Sequence, residues 1–151
     1  MTVSGRSQKG ECEQFITQSG QIARFSFDRR DLFADQRPKP RLFTPERHPE
    51  LGRLETSVCG MNGVAPERIA YLAATIRSGK SAHAAVELAV QAVIDAELEC
   101  EAAPEDGYAE HGVIVGWEDG DDAKSKRLSA MQELVAAVTA VRCFPQTPGQ
   151  R

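Results

Sequence analysis

Between Gln21 and Phe27 the chain alternates, with Ile22 and Arg24 on one side and Ala23, Phe25 and Phe27 on the other. A period of two predicts a half-buried strand. Arg53–Cys59 repeats it: Leu54, Thr56 and Val58 share one face, Glu55 and Ser57 the other. Residues 28–40 between them are charged and end in Pro38 and Pro40, the pattern of a loop. Arg41-Leu42-Phe43-Thr44 reads as a short strand stopped by Pro45. Met61-Asn62-Gly63 then turns the chain.

The period changes after Pro66, a residue suited to a first helical turn. Ile69, Leu72, Ala73 and Ile76 follow at helical spacing and predict an amphipathic helix ending near Ser78-Gly79. A second helix is expected from a Ser81 cap to about Cys100. Val86, Val90, Val93 and Ile94 would face the core, and Glu87, Asp95 and Glu97 water. Pro104 to Gly107 break the chain again.

His111–Trp117 carries the unbroken Val-Ile-Val centre of a strand covered on both faces. Asp121 or Asp122 is placed to cap the helix that follows, with Leu128, Met131, Val135 and Val138 as its apolar stripe. Val141 to Phe144 reads as a last short strand. Parallel pairing of that strand with 111–117 would make a right-handed βαβ crossover. The sum is an α+β fold: one small mixed sheet of four to five strands with about three helices packed on it. The domain is expected over 20–145, between disordered tails at 1–19 and 146–151.

Composition supports a folded globule. The chain has 151 residues, 41% hydrophobic and 26% charged, enough to bury a core without staples. The net charge of -4 is unevenly spread, with +4 over residues 1–80 and -8 over 81–151. The acidic second half argues against a protein that wraps nucleic acid. Arg24, Arg29, Arg30, Arg37, Lys39, Arg41, Arg47 and Arg53 form a basic cluster. Asp28, Asp31, Asp35, Glu46, Glu50 and Glu55 lie among them to neutralise most of it. Cys12, Cys59, Cys100 and Cys143 contain no C-x-x-C pair. Neither a signal-peptide core nor an apolar run of membrane length is visible, so a cytoplasmic protein with reduced thiols and no membrane contact is expected.

Catalytic motifs are weak. Ser78-Gly79-Lys80-Ser81 lacks the upstream glycine of a P-loop, since Ala74 stands there, and a helix precedes it where a strand is needed. A helix-turn-helix reading fails on the acids Glu87, Asp95, Glu97 and Glu99. His83 and Glu87 would meet on one helical face. No G-x-S-x-G elbow, metal-ligand spacing or EF-hand alternation occurs. No cofactor or metal is expected. His111 opens the buried strand, while Trp117 and Asp119 follow its far end about 20 Å away.

Two segments carry a resemblance. Arg41-Leu42-Phe43-Thr44-Pro45, running on through Glu50-Leu51 to Arg53 and Gly60, and His111-Gly112-Val113-Ile114-Val115-Gly116-Trp117 resemble a group of uncharacterised small bacterial proteins. The resemblance covers about a third of the chain and departs from the group at Glu118, where a proline is the pattern. It implies a bacterial, cytoplasmic, mobile-element setting and no established activity. The expected function is a non-catalytic binding or accessory protein acting through protein contact or self-association. The alternative is a small enzyme or binding protein for an anionic, nucleotide-like or phosphorylated ligand. There Arg41 and Arg53 would hold the anion and His111 would act as acid or base. Trp117 and Asp119 complete the candidate contacts.

Overall fold

The computed structural model describes residues 15–145. Its strands are β1 (Gln21–Ser26), β2 (Glu46–Arg47), β3 (Leu54–Gly60), β4 (Ala84–Ala89), β5 (Glu99–Ala102), β6 (His111–Val115) and β7 (Val138–Cys143). Three helices accompany them: α1 (Pro66–Thr75), α2 (Val90–Asp95) and α3 (Lys124–Ala136). The strands form one seven-stranded sheet in the order β5-β6-β3-β1-β4-β7, with β2 beside β3.

Every pairing is antiparallel. The α+β class therefore holds, but the sheet is larger than four to five strands and is not mixed. The expected crossover is also revised. β6 and β7 point the same way, yet β3, β1 and β4 lie between them. β7 pairs with β4 instead, and α3 carries the chain across that width.

Two elements change identity. The helix expected over 81–100 is β4, then the short α2, then β5. Ala84, Val86 and Leu88 also satisfy a period of two, and β4 sits buried between β1 and β7. Sheet packing there outweighs the helix propensity of Ala, Glu and Leu. His83 and Glu87 consequently lie along an extended segment and do not meet; Glu87 pairs with Arg142 at 3.5 Å. The short strand expected at 41–44 is instead a single 3-10 turn over Pro40–Phe43. Pro40 fixes φ for it, and it inserts Leu42 and Phe43 into the core against α3.

One sheet face buries Ile22, Val58, Val86, Leu88 and Ile114 beneath Leu42, Phe43, Met131 and Leu134. The other buries Ala23, Phe25, Cys59 and Ala85 beneath Ile69, Leu72 and Ala73 of α1. β1 is thus covered on both sides rather than half-buried. In the last helix Met131 and Leu134 are buried, Leu128 is 47% exposed, and Val138 belongs to β7. Neither Asp121 nor Asp122 caps α3, whose N-cap is Ala123 without a side-chain bond. The expected tails at 1–14 and 146–151 lie outside the described residues. Residues 15–19 are placed against the sheet: Ile16 packs on the core, and Asn62 N–H donates to Phe15 O at 3.2 Å.

Candidate functional site

β1 and β3 pair over only two positions, Ile22 with Gly60 and Ala23 with Cys59. β1 meanwhile follows β4 for its whole length. The two strands part after Ala23, and Arg24 fills the wedge between them. Its Nε donates to Leu42 O at 2.9 Å and its Nη1 to Ser57 O at 2.8 Å. A guanidinium thus supplies donors where the ladder stops. Burial pulls the Arg24 pKa below its usual value, Glu46 and Asp31 oppose that shift, and Arg77 adds to it by repulsion.

A cleft of about 160 Å³ opens at this wedge on the α1 side. Arg24 and Ser57 line its base, with Phe25 and Phe27 beside them. Arg77, just past α1, lays its guanidinium over the Phe27 ring, 4.4 Å from the centroid. Among the described residues neither Arg24 nor Arg77 has a carboxylate in ion-pair range.

Tyr108, His111 and Glu105 form another wall, and the apolar Val58 and Ile76 complete the lining. His111 Nδ1 lies 2.6 Å from Ala103 O. A carbonyl only accepts, so Nδ1 carries a proton and donates in this contact. Glu105 Oε2 is 3.9 Å from the same Nδ1. Tyr108 stacks obliquely on His111, ring centroids 5.1 Å apart, and its hydroxyl is hydrogen-bonded with the Cys59 thiol. Burial pushes that thiol up to about 12, so Cys59 is no nucleophile near neutrality. The loop before His111 is tied down by Arg68. Its Nε and Nη2 fork onto Glu110 at 2.7 and 3.0 Å, and Nη2 also donates to Gly107 O.

The residues singled out from the sequence scatter. Arg41 is held by Asp31 at 3.0 Å. Arg53 is held by Glu55 at 2.7 Å and Glu101 at 2.9 Å. His111 faces Cys59 across the β3–β6 ladder. Arg53 is therefore six positions further along, about 20 Å away. The expected Arg53–His111 partnership has no common site. Asp119 lies beyond the far end of β6. Arg47 grips it at 2.7 and 2.8 Å and pulls its carboxyl down to about 2. Trp117 is 8% exposed, donates from Nε1 to Ile114 O at 3.1 Å, and shares the core with Met131 and Leu134.

Of the named residues only His111 lines the cleft. Arg77, Tyr108, Ser57 and Glu105 are not among the candidates the sequence offers, and Arg24 is there only one member of the basic cluster. A charge in the middle of the apolar run Ile22–Phe27 was the available signal.

Among the described residues no group of three His, Cys, Asp or Glu could hold a metal ion, and no helix is long and apolar enough to cross a membrane. Comparison with protein-family models, curated proteins and solved structures finds no match.

Proposed function

We propose that this chain is a binding protein for a small anionic ligand, seated in the cleft between Arg24 and Arg77. One observation carries the reading. Two guanidinium groups that repel each other share a small cleft, and among the described residues neither has a carboxylate in ion-pair range. By contrast Arg30, Arg37, Arg41, Arg47, Arg53 and Arg68 each hold a carboxylate. An anion relieves the repulsion, and each charge-assisted hydrogen bond contributes about 1.5–3 kcal/mol.

The cleft's 160 Å³ is below the roughly 300–1,000 Å³ of sites that enclose a whole drug-sized molecule. It suits an anionic head group rather than a complete nucleotide. Binding without catalysis fits the inert Cys59 thiol and the distance between His111 and Arg53. The free thiols Cys59, Cys100 and Cys143 suit a reducing compartment, and we place the protein in the bacterial cytoplasm.

Calorimetric titration of the full chain with acetate and with inorganic phosphate tests the reading. Binding is expected to weaken at least tenfold in Arg77→Gln. Equal affinity in the variant would place the anion elsewhere.

Contact with a protein partner has its own support in β7. Among the described residues it ends the sheet order, and the one charge in Val138–Cys143, Arg142, is turned to Glu87 at 3.5 Å. Self-association through it predicts a concentration-dependent size in sedimentation, abolished by Val141→Pro. A size unchanged with concentration would remove this second reading.

A further inference from the structure

The cleft is not uniformly cationic, and its polarity identifies the ligand more closely. One side offers donors: Arg24, Arg77 and the exposed Ser57 hydroxyl. The other offers acceptors. Glu105 presents a carboxylate on a 63% exposed side chain. His111 is committed through Nδ1 to Ala103 O, which in the uncharged tautomer leaves Nε2 as an acceptor.

Glu105 forms no ion pair with Arg24 or Arg77, so the two signs stand apart within one small space. A ligand with only negative charge would satisfy the arginines and meet Glu105 as a like charge. A phosphate dianion would meet that repulsion twice over. A ligand carrying a carboxylate and, a few bonds away, an ammonium answers both sides. Phe25 and Phe27 meet edge to face, ring centroids 6.4 Å apart, and provide an apolar wall for a short aliphatic group.

Resting on the anion-binding reading, we infer that the cleft takes a small zwitterion of the α-amino acid type. Its carboxylate faces Arg24 and Arg77, and its ammonium faces Glu105 and His111. The size of the cleft restricts the side chain to a few carbons. Recognition then depends on both charges at once, which is how a small site rejects simple carboxylates and simple amines.

The test is calorimetric titration of the full chain at neutral pH with four probes. These are L-valine, isovalerate (the same skeleton without the ammonium), isobutylamine (without the carboxylate) and inorganic phosphate. L-Valine is expected to bind at least tenfold more tightly than isovalerate or phosphate, and isobutylamine not at all. Glu105→Gln is expected to erase the advantage of L-valine while leaving isovalerate unchanged or tighter. Arg77→Gln is expected to weaken both. Both substitutions are at exposed positions, and circular dichroism confirms that the variants fold. Isovalerate or phosphate binding as tightly as L-valine overturns the zwitterion and leaves the anion reading standing. Failure of all four probes at millimolar concentration overturns both.

Discussion

The Arg24 guanidinium reaches the Ser57 carbonyl at 2.8 Å and so joins β1 to β3 beyond the last residue pair of their ladder. A side chain does there what backbone amides do elsewhere in the sheet. The same group forms the base of the cleft, so one residue couples sheet integrity to the candidate site.

That coupling has a measurable cost. Arg24→Met keeps the apolar stem but leaves Leu42 O and Ser57 O without their donor. The expected loss is about 2–4 kcal/mol in urea unfolding. Arg24→Lys should recover less than half of it, because one ammonium on a flexible stem cannot span both carbonyls as a planar fork does. Full recovery by lysine would mean that charge alone matters at this position.

Local periodicity gives β1, β3, α1 and α3, the unbroken apolar run gives β6, and β7 is legible only in its second half, since Val138 also fits the helical stripe before it. Ala84–Cys100 is not legible this way, since Val86, Val90 and Val93 fit a helical stripe as well as the alternation Ala84, Val86, Leu88 fits a strand. The choice is made by β1 and β7, which lie far away in sequence. Strand direction was hidden for the same reason. The site shows the same limit. Which acid holds which arginine depends on the fold: Arg41 takes Asp31, 10 residues away, and Arg53 takes both its neighbour Glu55 and Glu101, 48 residues away. Arg24 looked like one more loop cation, although its neighbours Ile22, Ala23 and Phe25 mark it as enclosed. His111 was legible because a histidine at the end of a Val-Ile-Val strand has few places to go but inward.

Glu110 is a pH-dependent brace. Burial on its own would raise the carboxyl, but the Arg68 fork outweighs it and leaves the folded-state pKa lowered. A depressed carboxyl contributes stability that is present above its unfolded pKa, near 4.3, and lost as pH falls through the folded value. The wild-type protein should therefore lose stability below about pH 4. Arg68→Met removes the fork and leaves a buried carboxylate, at a cost of about 2 kcal/mol at pH 7. In that variant the loss should shrink as Glu110 protonates. Denaturant midpoints between pH 3 and 7 provide the check; parallel curves for the two proteins would rule out Glu110 as the titrating group.

The single Trp117 reports on the opposite side of the sheet. It is buried against Met131 and Leu134, and its indole N–H is satisfied by Ile114 O. Emission should be blue-shifted and protected from iodide. Trp117→Ala should cost about 3–5 kcal/mol, since an aromatic of this size leaves a cavity the sheet cannot close. A red-shifted, freely quenched spectrum in the native protein would contradict this packing.

The cysteines give a prediction that needs no ligand. Cys59 is buried and Cys100 partly so, and burial pushes both thiols up to about 12. Cys143 is exposed at the β7 edge. The thiolate is the reactive form, so at pH 8 an aqueous disulfide reagent should modify Cys143 within minutes and leave Cys59 and Cys100 intact until the protein unfolds. Peptide mapping assigns each adduct to its residue. Cys59 is the sharper reporter because its thiol bonds with Tyr108, the ring that stacks on His111 in the cleft. A ligand that rigidifies that wall should slow Cys59 labelling at low urea while Cys143 continues to react at its own rate. Labelling of Cys59 as fast as Cys143 in the native protein would show that the Tyr108 side of the cleft is open in the resting state, against the packing of Tyr108 on His111.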